Sequence, residues 1–386
     1  MKQFKRSFIF TLLAAFCTFA VFISGYWTRG QQQTGSTNFP ILHEAYEILI
    51  QHAFKPIPTP PAIEYGMIRG MLQAYGDPHT IFLEPVQSEL ETNSLQGSYG
   101  GIGVRLGNDA QGHVILYPFQ ASPAYKAGVK EGDRLLMVGD LEISTENPID
   151  DINAAIRGPV GQKVTLKIAR APDYSPTQIS VKFEVIQLPS VSWHIDTDEK
   201  RLGIVEINII ATTTPDEVTH AVQDLTSRGV EAIVLDLRNN GGGLLDAGID
   251  TARLFLKDGV VIEQQYRGED IKKYEVDKPG LFVSLPMTIL VNQNTASASE
   301  IIAGSLQVHK RAKLIGTPTY GKDTVQLVFN LRDGSSLHVT AAQWWIPGLE
   351  PSLGGHGLQP DISLSPEDTN SDNAIRTAIQ VLFSSN

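Results

Sequence analysis

The chain has 386 residues, 42% of them apolar and 19% charged, which describes a globular protein with ample core and a length suited to two or three folded units. Its formal net charge is −11; residues 1–29 carry four basic and no acidic residues, leaving the remainder at −15. An acidic surface of this size argues against nucleic acid or anionic lipid as the main partner. The single cysteine, Cys17, lies in the N-terminal segment, so the remainder has no disulfide, thiolate nucleophile or cysteine metal site.

Lys2, Lys5 and Arg6 precede an uncharged, apolar run from Ser7 to Thr28. That run is long enough to cross a bilayer, and its basic flank favours a cytoplasmic N-terminus. Residues 1–29 are therefore read as a signal peptide or membrane anchor. The lack of a clear small-x-small cleavage site favours the anchor. Either reading exports the body of the protein to a periplasmic or extracytoplasmic space.

Residues 30–94 form an N-terminal helical region. GQQQTGSTNFP (30–40) is a polar linker, and apolar residues then recur at helical spacing (Leu42, Ala45, Tyr46, Leu49, Ile50; Tyr65, Met67, Ile68, Met71, Leu72). KPIPTPP (55–61) separates two helices, and GDPHT (76–80) is a turn. From Gly97 the texture changes. GSYGGIGVRL, HVILYPF, GDRLLMVGD and KVTLKIAR are short β-type runs between turns, with short helices in SPAYKAG and PIDDINAAIRG. A compact β-rich unit over 95–173 follows.

The third unit, 188–386, alternates. LGIVEINII, AIVLDLR, MTILVN and AKLIG read as strands. PDEVTHAVQDLTSRG, LLDAGIDTARLFL and SASEIIAGSLQVHK read as helices between them. Such alternation predicts an α/β domain with a largely parallel, helix-covered sheet. TVQLVFNL and SLHVTAAQWWIP return to β-type texture.

Three stretches of this unit carry chemistry. Ser297-Ala-Ser-Glu300 opens a helix after a buried strand. Its plain reading is a capping box, in which the serine only satisfies backbone N–H groups; its chemical reading is a nucleophile, with Ser299 a second candidate hydroxyl. Asp236-Leu-Arg-Asn-Asn-Gly-Gly-Gly243 also follows a buried strand and lies at the same carboxyl edge, where ligands of such sheets bind. Its glycines let backbone N–H groups approach a substrate carbonyl. Lys322 follows GTPTYG in a G-x-x-x-x-G-K pattern, but Asp323 stands where a phosphate loop needs Ser/Thr, and β-type sequence follows where it needs a helix. As a general base Lys322 must be neutral, which from a pKa of about 10.4 costs about 4.6 kcal/mol at pH 7 unless burial offsets it. The nine histidines are scattered. His309 lies roughly 15 Å along the helix from Ser297, and no metal-ligand spacing occurs.

Together, TASASEIIAGSL, RAKLIGTPTYGK, Gln326 and the upstream DLRNNGGGLL resemble the carboxyl-terminal processing (tail-specific) serine peptidases. GMIRGMLQAYGDPHTIFL and WIPG…GLQPDI extend the likeness over about 41–365. The resemblance implies a multi-domain α/β protein: a Ser/Lys peptidase core of crotonase-like type, N-terminal helices and a small PDZ domain. It implies Ser297 as nucleophile, Lys322 as general base, Gln326 as its support, and Gly243 and Ala298 N–H groups as the oxyanion hole, without metal or cofactor. Thr295 replaces the first serine of the family motif, and Asp323 stands where a glycine usually follows the lysine. In extended backbone the neighbouring Asp323 side chain points away from Lys322, but the Lys322 and Gln326 Cα atoms then lie about 13 Å apart, so their side chains must converge. The middle unit resembles a PDZ domain. Its loop Gly100-Gly101-Ile102-Gly103-Val104 would hold the carboxylate of a protein or peptide with a free apolar C-terminus, and the next strand would pair with it. A catalytically silent PDZ adaptor of the same fold and a Ser–His–Asp hydrolase are the rival readings. The sequence leaves self-association into a homo-oligomer open.

Overall fold

The computed structural model describes residues 39–383 apart from 110, 145 and 146. The segment read as a signal peptide or anchor lies outside the described residues. No helix among the described residues is long and apolar enough to cross a membrane. Among the described residues the chain divides into two compact units, with the boundary between residues 67 and 68. Helix α1 (Pro40–His52) and helix α2 (Pro60–Tyr75) are separated by the proline-rich break, and neither contains a buried residue. The boundary between units falls within α2.

The second unit opens with β1 (Ile81–Leu83) and α3 (Pro85–Gln96). Proline in the first turn starts α3, and Gly97 ends it at φ 70°. A β-rich body follows: β2 (Ser98–Gly101), β3 (Val104–Asn108), β4 (Val114–Pro118), α4 (Pro123–Lys126), β5 (Asp133–Val138), β6 (Leu141–Glu142), α5 (Ile149–Ala155), β7 (Lys163–Arg170), β8 (Ser175–Lys182) and β9 (Glu184–Gln187). Its antiparallel sheet runs β3-β4-β5-β7-β8, with β6 on β5, while β2 pairs with β9. Ile102, Leu116, Ile152, Leu166 and Val181 fill one core. Asp133, fully buried, pairs with Arg170 at 2.7 Å. The sheet continues through β8 to Lys182, past the expected edge at 173. The Ala171–Tyr174 turn joins β7 to β8 in a hairpin.

The remaining elements are β10 (Val191–Ile195), β11 (Leu202–Ile207), α6 (Thr214–Ser227), β12 (Ala232–Asp236), α7 (Leu245–Arg253), β13 (Val260–Tyr266), β14 (Lys272–Glu275), β15 (Met287–Val291), α8 (Ala298–Val308), β16 (Lys313–Gly316), β17 (Thr324–Asn330), β18 (Ser336–Trp345), β19 (Ile362–Ser363), α9 (Pro366–Thr369) and α10 (Asp372–Phe383). The main sheet has the order β10-β11-β12-β15-β16-β19 and is parallel except for β10 against β11. Every residue of β12 and β15 is buried, as a sheet covered on both faces requires. Alternation sorts the faces: Ile233 and Leu235 join the core formed with α6, α7 and α8, while Ala232 and Val234 join the one formed with α10. A second sheet, β1-β18-β13-β14 with β17 on β18, packs Val261, Ile262 and Trp344 into the larger core.

Candidate active site

Because β12 and β15 are parallel neighbours, the loops that leave them meet at one carboxyl edge. Asparagines lock the two loops together. Asn239 N–H donates to Asn292 Oδ1 at 3.0 Å, and Asn292 Nδ2 returns a bond to Asn239 Oδ1 at 2.9 Å. Asn239 sits at φ 60°, a left-handed conformation that Asn tolerates better than most residues. Thr295, the departure from the serine of the family motif, is fully buried, and its hydroxyl donates to the Leu237 carbonyl at 2.8 Å. Its role is to hold the loop.

Ser297 caps α8 at φ 55°, ψ −122°. A non-glycine residue in this region carries about 1–3 kcal/mol of strain, which persists where the surroundings over-determine it. Of the anticipated capping box, the Glu300 half is made, its carboxylate accepting Ser297 N–H at 2.8 Å. Ser297 also lines a cavity of about 230 Å³ together with Lys322, Gln326, Gly241 and Gly243. Ser299 is fully buried and lies outside that lining.

Gly242 closes on this turn, and Gly243 on the Ile210 backbone. A Cβ at Gly242 would stand 2.9 Å from Ser297 Cβ and 3.0 Å from Ala298 N; one at Gly243, where φ is 147°, would stand 2.1 Å from the Ile210 carbonyl oxygen. Only glycine fits there. Gly242 N–H donates to Asn240 Oδ1 at 2.9 Å. The N–H groups of Gly243 and Ala298 make no hydrogen bond among the described residues. The latter is one of the first N–H groups of a helix, which have no partner within it.

Lys322 is half-buried, and its Nζ donates to Gln326 Oε1 at 2.6 Å. The convergence that the sequence requires is made across the start of β17, since Lys322 lies two residues before that strand and Gln326 within it. Gln326 Nε2 in turn donates to the His79 carbonyl. Burial pushes the Lys322 pKa below its ordinary value, while Glu91, Asp77 and Glu300 pull it upward. Asp323 is not among those charges; its Oδ2 lies beside Gly354 instead. Lys322 Nζ makes no hydrogen bond to Ser297 among the described residues.

Two participants, Glu91 and His338, escaped the sequence reading, and Glu300 does more than the expected capping. Glu300 reaches beyond its cap to accept the N–H groups of Gly321 (2.7 Å) and Lys322 (3.0 Å), so it ties the serine turn to the lysine loop. The capping-box pattern singled out the residue, but not the second loop. Glu91 of α3 and His338 of β18 also line the cavity. His338 Nε2 lies 3.3 Å from Glu91 Oε2 and 3.1 Å from Ser336 Oγ, with no hydrogen bond to Ser297. No cluster of His, Cys, Asp or Glu among the described residues could hold a metal ion.

In the β-rich body, Gly100 and Gly101 lie in β2, paired with β9, and Ile102 N–H donates to the Ile156 carbonyl at 3.3 Å. Gly103, at φ 71°, turns the chain into Val104 and β3. Among the described residues that strand pairs only with β4, leaving one edge open, which suits addition of a peptide strand.

Comparison with known proteins agrees with this architecture. Residues 201–364 match Peptidase family S41 and residues 115–170 match the PDZ domain. The chain is 30% identical to the carboxy-terminal processing protease CtpA of Bacillus subtilis (strain 168), over 92% of this chain and 78% of that protein. It is 33% identical to a carboxyl-terminal-processing protease of Synechocystis sp. (strain ATCC 27184 / PCC 6803 / Kazusa), over 77% of this chain and 70% of that one. Among solved structures, the photosystem II D1 C-terminal processing protease aligns with a TM-score of 0.48 and 28% identity, over 87% of this chain and 90% of that one. An α/β core, a PDZ domain and 30% identity to CtpA over most of both chains place this protein in peptidase family S41, as a serine-type peptidase of the carboxy-terminal processing group.

Proposed function

We propose that the chain is an exported, membrane-tethered endopeptidase that captures the C-terminal tail of a protein substrate on its PDZ domain and cleaves it with Ser297. The observation that carries this reading is the shared cavity. It brings Ser297, a half-buried Lys322 of lowered pKa, and the unengaged Gly243 N–H together at one sheet edge. In the proposed reaction, Ser297 Oγ attacks the scissile carbonyl carbon and its proton passes to neutral Lys322. The carbonyl oxygen becomes an oxyanion held by the Gly243 and Ala298 N–H groups. The C–N bond then breaks, and Lys322 gives the proton to the leaving amine. Water hydrolyses the acyl-enzyme with the same lysine as base. Gln326 positions Nζ, which must turn from Gln326 towards Ser297 for the first step.

Tail recognition rests on the Gly100–Val104 loop and the open edge of β3. The substrate is a protein or peptide with a free, apolar C-terminus. Amidating that terminus removes a charged acceptor, so kcat/KM is expected to fall by roughly ten-fold or more. Equal turnover of the acid and amide forms in a steady-state assay would remove the carboxylate from the account. Export and tethering follow from the basic flank and apolar run of residues 2–28. Fractionation of cells that express the full chain checks them.

The same reading sets a pH dependence. Activity needs neutral Lys322, so kcat/KM rises with pH through the lysine pKa, which burial lowers and Glu91, Asp77 and Glu300 raise. Glu91→Gln removes one negative charge that favours the ammonium form. The acidic limb of the pH profile should then move to lower pH. A limb that stays in place or moves upward would show that a different group titrates.

A further inference from the structure

A second cavity, of about 610 Å³, adjoins the one at Ser297 and shares Leu244, Leu245 and Gln326 with it. Gln264 of β13 is on its wall and only 2% exposed. Its Oε1 accepts the Tyr274 hydroxyl at 2.8 Å, but its Nε2 has no partner among the described residues. A buried hydroxyl can rotate towards a nearby carbonyl; a carboxamide whose oxygen is already fixed has little such freedom. Native proteins rarely leave a buried donor unpaired, and one on the wall of a cavity is prepared for an acceptor from outside. The surroundings indicate which acceptor. Leu244 and Leu245 directly follow Gly243, so a chain with its scissile carbonyl at the Gly243 N–H passes over them into the second cavity. Trp344, which lines the first cavity, is the register partner of Gln264 across β13 and β18.

We propose that this second cavity is a substrate subsite, in which Gln264 Nε2–H donates to a main-chain carbonyl of the extended peptide. It rests on Ser297 being the nucleophile. A main-chain acceptor makes the subsite tolerant of side-chain identity and sensitive to substrate length. Tyr266 lines the same cavity, and Tyr274 fixes the carboxamide.

The test is a series of peptides lengthened one residue at a time on each side of the scissile bond, with kcat/KM measured for the wild-type protein and for Gln264→Leu. At the step that reaches the subsite, the ratio of long-peptide to short-peptide kcat/KM should rise in the wild-type and be about five- to ten-fold lower in the variant. An equal ratio at every step overturns the subsite while leaving cleavage by Ser297 intact. Loss of the Ser297 reading would appear separately, as activity that survives Ser297→Ala. Should Gln264→Leu fail to fold, wild-type protein with peptides carrying a reduced amide at successive positions asks the same question. One position should lose about five- to ten-fold, and no loss at any position overturns the proposal.

Discussion

Ser297→Ala and Lys322→Ala should each lower kcat for a tail peptide by at least about 10⁴-fold, and the double variant should be no slower than the worse single one. Residues that act as a unit in acyl transfer are strongly non-additive: once either is gone, the other has no proton to take or no base to use. Lys322→Arg should be as inactive as Lys322→Ala. A guanidinium keeps its charge at any accessible pH and cannot accept the proton of Ser297. Its extra bulk enters a cavity of only about 230 Å³. Single-turnover and steady-state rates, alongside thermal unfolding to show that the variants fold, decide the matter. A Lys322→Ala protein within ten-fold of wild-type would pass the role of base to another group in the cavity. His338 would be next to mutate, since Ser336 and Glu91 already hold it at the wall.

The sheet that carries these residues was legible because its central strands are extreme. AIVLD and MTILV are apolar enough to require cover on both faces, and both are buried throughout. The glycine run and the serine turn each follow such a strand, so their meeting at one edge could be inferred from local sequence. The choice between Ser297 and Ser299 could not, because it depends on which hydroxyl reaches the cavity. The approach of Lys322 to Gln326 was equally hidden, since it depends on how the chain enters β17 just after Lys322, which no single residue announces. Glu91, more than 200 residues before Ser297 in the chain, enters the cavity only through the placement of α3. The second sheet was harder still. VVIEQQY in β13 mixes apolar and amide residues because one of its faces turns Gln264 towards a cavity, and that mixture blurs the alternation a reader looks for. In the β-rich body, the expected edge at 173 falls in the turn between β7 and β8, and Ile179 and Val181 carry the sheet onward.

Glu300 is the residue whose loss should cost most in stability as well as rate. It is fully buried, and burial raises its pKa above the ordinary carboxylate value. Its two oxygens accept four donors: Ser297 N–H, Gly321 N–H, Lys322 N–H and the Thr319 hydroxyl. Glu300→Ala strands all four in the interior. Each unpaired buried group costs about 1–3 kcal/mol, and partial relaxation leaves a net destabilisation of at least about 3 kcal/mol. The catalytic consequence follows from the same bonds. Without the carboxylate, the Gly321–Lys322 backbone loses its direct bonds to the Ser297 turn, although the neighbouring Tyr320 N–H, which donates to the Thr295 carbonyl at 3.0 Å, still joins the two loops. Nucleophile and base then lose their close mutual placement, and kcat falls by about 10²-fold or more. KM should move little, because Glu300 does not line the cavity. Glu300→Gln keeps the size but turns an amide NH₂ towards N–H donors, so it should fall between wild-type and alanine in both unfolding free energy and kcat. A Glu300→Ala protein with wild-type kcat would mean that the two loops hold their positions by other contacts. The capping box would then return to its plain reading, as the start of a helix and nothing more.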